Sequence, residues 1–112
     1  MNVYDAVNEL GKAMRASQEY KRLAEAKARL AEDAAAEAMV KDFMKQKQEV
    51  EIDQLSGRTP DKDKMEKVQK LYEVLSLNGN ASEYVQSYIR FQLMLSDVSK
   101  TIGDVVKEVV GE

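Results

Sequence analysis

Few residues in this 112-residue chain have the type and spacing for chemistry. Asp42 with Glu49, and Asp104 with Glu108, are carboxylate pairs at helical spacing. Such pairs serve as acid and base, or hold a hard cation. With 33% of residues charged, pairs of this kind also arise by chance, and a solvated surface accounts for them. There is no histidine, which removes the commonest general base and transition-metal ligand, and no cysteine to serve as nucleophile, thiolate ligand or disulfide partner. A di-iron bundle would need Glu-x-x-His on two helices. A Gly-rich phosphate loop and a Ser-His-Asp set are also missing from the sequence. The composition therefore argues against an enzyme, and no cofactor is expected.

Binding chemistry has more candidates. Lys12, Arg15, Lys21 and Arg22 form a local basic cluster that could meet RNA or protein, or simply keep the surface soluble. Five tyrosines could stack on bases, but Tyr20, Tyr72, Tyr84 and Tyr88 sit on or beside apolar stripes, as core residues do. Met39, Met44, Met65 and Met94 fit core positions as well as an adaptable surface. The net charge of −3, from 20 acids and 17 bases, opposes non-specific nucleic-acid binding. "MNVYDAVNEL" lacks the basic start of a signal or transit peptide, and no apolar run reaches 18 residues. A cytoplasmic, non-membrane chain of one domain, 1–112, is expected.

The elements that position these residues are helices. Helix formers dominate, and there is one proline. The first helix is predicted over about Val3 to Arg15, capped by Asn2, with Val3, Val7, Leu10 and Met14 as its stripe. Gly11 weakens it or admits a close neighbour. Ser17 should cap the second helix, anchored by Tyr20, Leu23 and Leu30. Its charges Lys21, Glu25, Lys27 and Arg29 are a candidate partner face. Asp33 either caps a third helix or marks a bend, which leaves the continuity of helices two and three open. Helix three should reach about Leu55, and its polar segment "KQKQEVE" should project into solvent or line a partner. Gly57 should end it in the left-handed conformation. Thr59 should cap helix four, with Pro60 at its first position, and Met65, Val68, Leu71, Tyr72 and Leu75 inside. Gly79 should end helix four, and Asn80 with Glu83 has capping-box spacing for helix five.

Helix five carries the strongest pattern. Ala81, Tyr84, Tyr88, Phe91, Leu95, Val98, Ile102, Val105 and Val109 alternate by three and four, a heptad seam sustained for about four heptads. Val85, Ile89, Met94 and Val106 widen it. At about 45 Å the helix outruns a small domain, and a second copy of the chain is the simplest cover for its far end. Tyr88, Phe91, Leu95, Val98, Ile102, Val105 and Val109 are thus the expected dimer interface. The fold class is all-α: about five helices with a long C-terminal one, in a dimeric helical bundle.

Three stretches, "SQEYKRLAEAKARLAED", "DFMKQKQEVEIDQLSGRTPD" and "LNGNASEYVQSYIRFQLMLSDVSKTIGDVV", resemble the YlbF/YmcA family of small bacterial helical regulators, and most closely its YheA-type branch. The resemblance covers nearly the whole chain and involves no catalytic motif. It implies a compact five-helix fold, dimeric through the long C-terminal helices. It also implies non-catalytic regulation: assembly with YlbF/YmcA relatives and modulation of RNase Y and mRNA maturation, with effects on biofilm formation, competence and sporulation. Some complexes of the family carry iron–sulfur clusters on cysteines, which this chain lacks. The expected function is a homodimeric regulatory protein, whose partners are itself and, by resemblance, relatives or RNase Y. The alternative is an RNA-binding accessory protein acting through the basic patch.

Overall fold

The computed structural model describes residues 1–59 and 61–111. Five helices follow one another: α1 (Val3–Ala16), α2 (Gln18–Ala31), α3 (Ala34–Leu55), α4 (Lys62–Leu75) and α5 (Gly79–Val110). No strand occurs among the described residues. No helix among them is long and apolar enough to cross a membrane.

Side-chain caps set most of the helix starts. Asn2 Oδ1 accepts from the Asp5 N–H at 2.8 Å and opens α1. Ser17 works twice: its hydroxyl donates to the Met14 carbonyl at 2.6 Å and accepts from the Tyr20 N–H at 3.2 Å. It therefore closes α1 and opens α2. Helices α2 and α3 are separate, because Asp33 Oδ1 accepts from the Ala36 N–H at 3.0 Å and starts α3 anew. Two caps differ from the sequence expectation. Helix α4 is capped by Asp61, whose Oδ1 accepts from the Asp63 N–H at 2.8 Å, and not by Thr59. Pro60, expected at the first helical position, lies outside the described residues. Helix α5 is capped by Asn78, whose Oδ1 accepts from the Ala81 N–H at 3.0 Å. Gly79 is accordingly the first residue of α5, not the terminator of α4. Both asparagines of "LNGN" suit a cap. The tie is broken by Asn80 Nδ2, which instead donates to Asp33 Oδ2 at 3.0 Å.

Gly57 ends α3 as the sequence predicts, at φ +75°. The Arg58 N–H reaches back to the Asp53 carbonyl and the Gly57 N–H to that of Gln54, which together form a Schellman motif. A Cβ at Gly57 would meet no atom within 4 Å, so only the backbone conformation resists a side chain. Gly57→Ala is expected to cost about 1–2 kcal/mol, read from a chemical denaturation midpoint.

The chain forms two compact units: Met1–Glu25 with Gln86–Glu112, and Ala26–Val85. The second holds the hydrophobic core. Leu30, Ala36, Val40, Phe43, Leu75, Ala81 and Val85 are buried there, with Met44, Val68, Leu71 and Tyr84 packed against them. Helices α3 and α4 lie side by side. The Phe43 and Tyr72 rings stack at a tilt, 5.7 Å between centroids. Asp53 faces Arg58 at 3.8 Å and Lys64 at 3.7 Å across the turn that joins the two helices.

Asp33 ties the start of α3 to the start of α5 in this unit. The Ala36 N–H first, and the Asn80 amide second, hold its carboxyl below the ordinary aspartate range. A depressed carboxylate stabilises the fold above its unfolded pKa, and that contribution is lost as pH falls through the folded value. Asp33→Asn keeps a cap but removes the charge. The wild type is expected to melt above this variant at neutral pH, with the gap closing below about pH 4.

Candidate functional site

The seam of α5 passes through the two units unequally. Ala81 and Val85 are buried in the core unit. From Gln86 onward, α5 belongs with α1 and the first turns of α2. Among the described residues of that unit Ser87 alone is buried, and no apolar side chain is. Yet both α1 and α5 are striped. Helix α1 exposes Val3 at 73% and Val7 at 58%, with Leu10 and Met14 half-buried. Along α5, Tyr88, Phe91 and Val98 are half-buried, Leu95 is 37% exposed, Ile102 and Val105 are each 57% exposed, and Val109 is 87% exposed. Lengths explain the gradient. Helix α1 has 14 residues and spans about 21 Å, while α5 from Gln86 to Val110 spans about 37 Å. A helix that short cannot cover one that long.

The residues beside the seam add a second property. In the register set by Tyr88 and Phe91, the flanking positions of α5 are Gln92, Met94, Ser99, Thr101, Val106 and Glu108. Only Glu108 is charged. Two-stranded coiled coils carry Glu and Lys at these flanks, where solvent reaches them. Neutral flanks, with Met94 and Val106 extending the apolar strip, suit a helix packed on more than one neighbour.

The other sequence candidates fall as follows. Lys21, Glu25 and Arg29 repeat at one-turn spacing on α2, and all are exposed. Lys27 lies about 200° round the helix from Glu25. It lines a groove with Leu30 and Val40 instead, so the four residues are not brought onto one face. In the basic cluster Lys12, Arg15, Lys21 and Arg22 are exposed, and Lys12 is 3.5 Å from Glu9. The Arg15 guanidinium folds over Gly11, so the neighbour that this glycine admits is the chain's own side chain. Two expected anchors turn out exposed: Tyr20 at 40%, and Tyr72, whose ring covers Phe43 from the outside. Met65 is exposed as well, while Met39, Met44 and Met94 are half-buried. Asp42, Asp104 and Glu108 are exposed and Glu49 is half-buried. Among the described residues, no group of three or more acids is placed to hold a metal ion.

The profile of a family described as "Control of competence regulator ComK, YlbF/YmcA" matches residues 3–107. The chain belongs to the YlbF/YmcA family. Three relatives span it nearly end to end. A UPF0342 protein of Caldicellulosiruptor saccharolyticus is 36% identical over 105 residues, covering 94% of this chain and 88% of the relative. One of Symbiobacterium thermophilum is 34% identical, covering 93% of each. One of Streptococcus agalactiae is 33% identical, covering 90% of this chain and 91% of the relative. The YlbF/YmcA description is regulatory, not catalytic. The all-helical fold of this member, with its long C-terminal helix, agrees with the family resemblance seen in the sequence.

Proposed function

We propose that this YlbF/YmcA-family protein is a non-catalytic, cytoplasmic regulator that works as a homodimer and acts through protein partners linked to RNase Y and mRNA processing. One observation carries the dimer: a unit built from two apolar-striped helices that buries no apolar side chain. Such a unit gains little from the hydrophobic effect alone, and a second copy would supply the missing cover. The interface would run along Tyr88, Phe91, Leu95, Val98, Ile102, Val105 and Val109, with the exposed side of α1 beside it. The regulatory part is supported by the family description, and the RNase Y part by resemblance alone. Direct RNA binding has less support, since Lys12 is engaged by Glu9 and the chain carries a net charge of −3.

Capture of the protein from its own host, with co-purifying proteins identified by mass, tests the regulatory reading. RNase Y or YlbF/YmcA relatives are expected in the eluate of wild type. Recovery of the chain alone, from cells that express RNase Y, would overturn the RNase Y link and leave the dimer standing.

A further inference from the structure

The core unit carries a groove that opens to solvent. The end of α2 and the stretch of α3 from Glu37 to Gln48 border a groove of about 480 Å³, closed on one side by Tyr84 of α5. Its floor is the edge of the core itself: Leu30 and Val40 are buried, while Met44 and Tyr84 are half-buried. Its rim is basic. Lys27 comes from α2, and Lys41 and Lys45 come from successive turns of α3. Glu37 also lines the groove and pairs with Lys41 at 3.3 Å. Two cations are left over, in a chain whose net charge is −3. The α3 residues involved run from Glu37 to Gln48, a stripe about 16 Å long, or three turns.

We infer that this groove docks an acidic amphipathic helix of a protein partner. A groove about three turns long, with Leu30, Val40, Met44 and Tyr84 as its apolar floor, matches residues spaced i, i+3 and i+7 on such a helix. Carboxylates flanking that stripe would meet Lys45 and Lys27, and a third would compete with Glu37 for Lys41. Charge complementarity favours an acidic partner over a basic one, and the length of the groove favours a helix over a compact ligand. A second copy of the chain fits less well. Asp5 and Glu9 of α1 lie on the side opposite its apolar stripe, where they could not reach the lysines while that stripe sat in the groove.

The test uses the whole protein and a fluorescent helical peptide of about four turns, with leucines at i, i+3 and i+7 flanked by glutamates, read by anisotropy. A matched peptide carries lysine in place of glutamate. Wild type is expected to bind the acidic peptide saturably and the basic one weakly. The pair Lys41→Glu and Lys45→Glu should weaken acidic-peptide binding about tenfold or more, and should invert the preference. These exposed positions leave the core intact, and an unchanged helical circular dichroism spectrum checks that. Equal binding of both peptides, or no effect of the charge reversal, would overturn the proposal. So would displacement of the peptide by dodecanoate with equal charge dependence, which would assign the groove to a fatty acid. A wild-type dimer dissociated by Lys41→Glu and Lys45→Glu would also overturn it, assigning the groove to the second copy. The α5 dimer survives or falls separately, on Ile102.

Discussion

Ile102→Asp is expected to turn a dimer of twice the chain mass into a monomer, measured by multi-angle light scattering at micromolar concentration. Ile102 is 57% exposed in the single chain, so a carboxylate there costs the folded monomer little. In the dimer, each copy would bury an unpaired charge, at several kcal/mol. A loss of about 4 kcal/mol takes a micromolar dimer to the millimolar range. Circular dichroism should show the helices retained, which separates lost association from lost folding. Ile102→Leu conserves volume and should leave the dimer intact. Leu95→Asp, nearer the covered half of α5, should also dissociate it, with a larger loss in the melting temperature of the monomer. A wild type that scatters as a monomer would remove the dimer reading entirely.

The second large effect lies in the core unit. Phe43→Ala is expected to destabilise the fold by about 3–5 kcal/mol. Phe43 is buried among Val40, Leu75 and their neighbours, and its ring supports that of Tyr72 at 5.7 Å. Truncation would open a cavity and strip Tyr72 of the face it covers. Domains of this size hold about 5–15 kcal/mol in total, so the variant should lose about a fifth or more of its stability. At about 4–8 °C per kcal/mol, a melting-temperature drop of roughly 12 °C or more follows. A drop under about 5 °C would mean that the core closes around the gap, and that the ring contributes less than its burial implies.

Helix boundaries were legible where a single residue decides them. Asn2, Ser17 and Gly57 each act locally, and each stands where the sequence predicts, while Asp33, open in the sequence between a cap and a bend, is a cap. The boundaries that misled are those with two adequate candidates. "TPD" offers Thr59 and Asp61 as caps, and "NGN" offers Asn78 and Asn80. Local propensity ranks such pairs closely. For the second pair the choice falls to a contact with Asp33, 47 positions away in sequence and invisible to any local rule.

The candidate interface was legible in part for a related reason. Alternation by three and four marks the seam from Ala81 to Val109, but periodicity does not say which stretch the chain itself covers. The structure divides it: Ala81 and Val85 are in a core, and Ile102 to Val109 are open. Their places on apolar stripes predict Tyr20 and Tyr72 as anchors. Aromatic rings with a polar tip can lie at the edge of a core as well as inside it, as Tyr72 does against Phe43, and Tyr20 is exposed in a unit that, among the described residues, buries no apolar side chain. The lysine-rimmed groove had no signature at all, because Lys27, Val40 and Tyr84 belong to three helices. The nearest hint was the polar middle of α3, expected to face solvent or a partner.

The turn between α3 and α4 has a practical consequence. The first turn of α1 exposes Val3 and Tyr4, and the last turn of α5 exposes Val109 and Val110. An affinity handle fused beside either would crowd the apolar strip through which the chain is proposed to pair. Ser56 to Thr59 are exposed, and Gly57 has already broken the helix there. A short epitope spliced in after Arg58 would lengthen a surface loop, at a closure cost that grows only slowly with its length. That makes the α3–α4 turn the place from which to pull this protein out of a cell with its partners still attached.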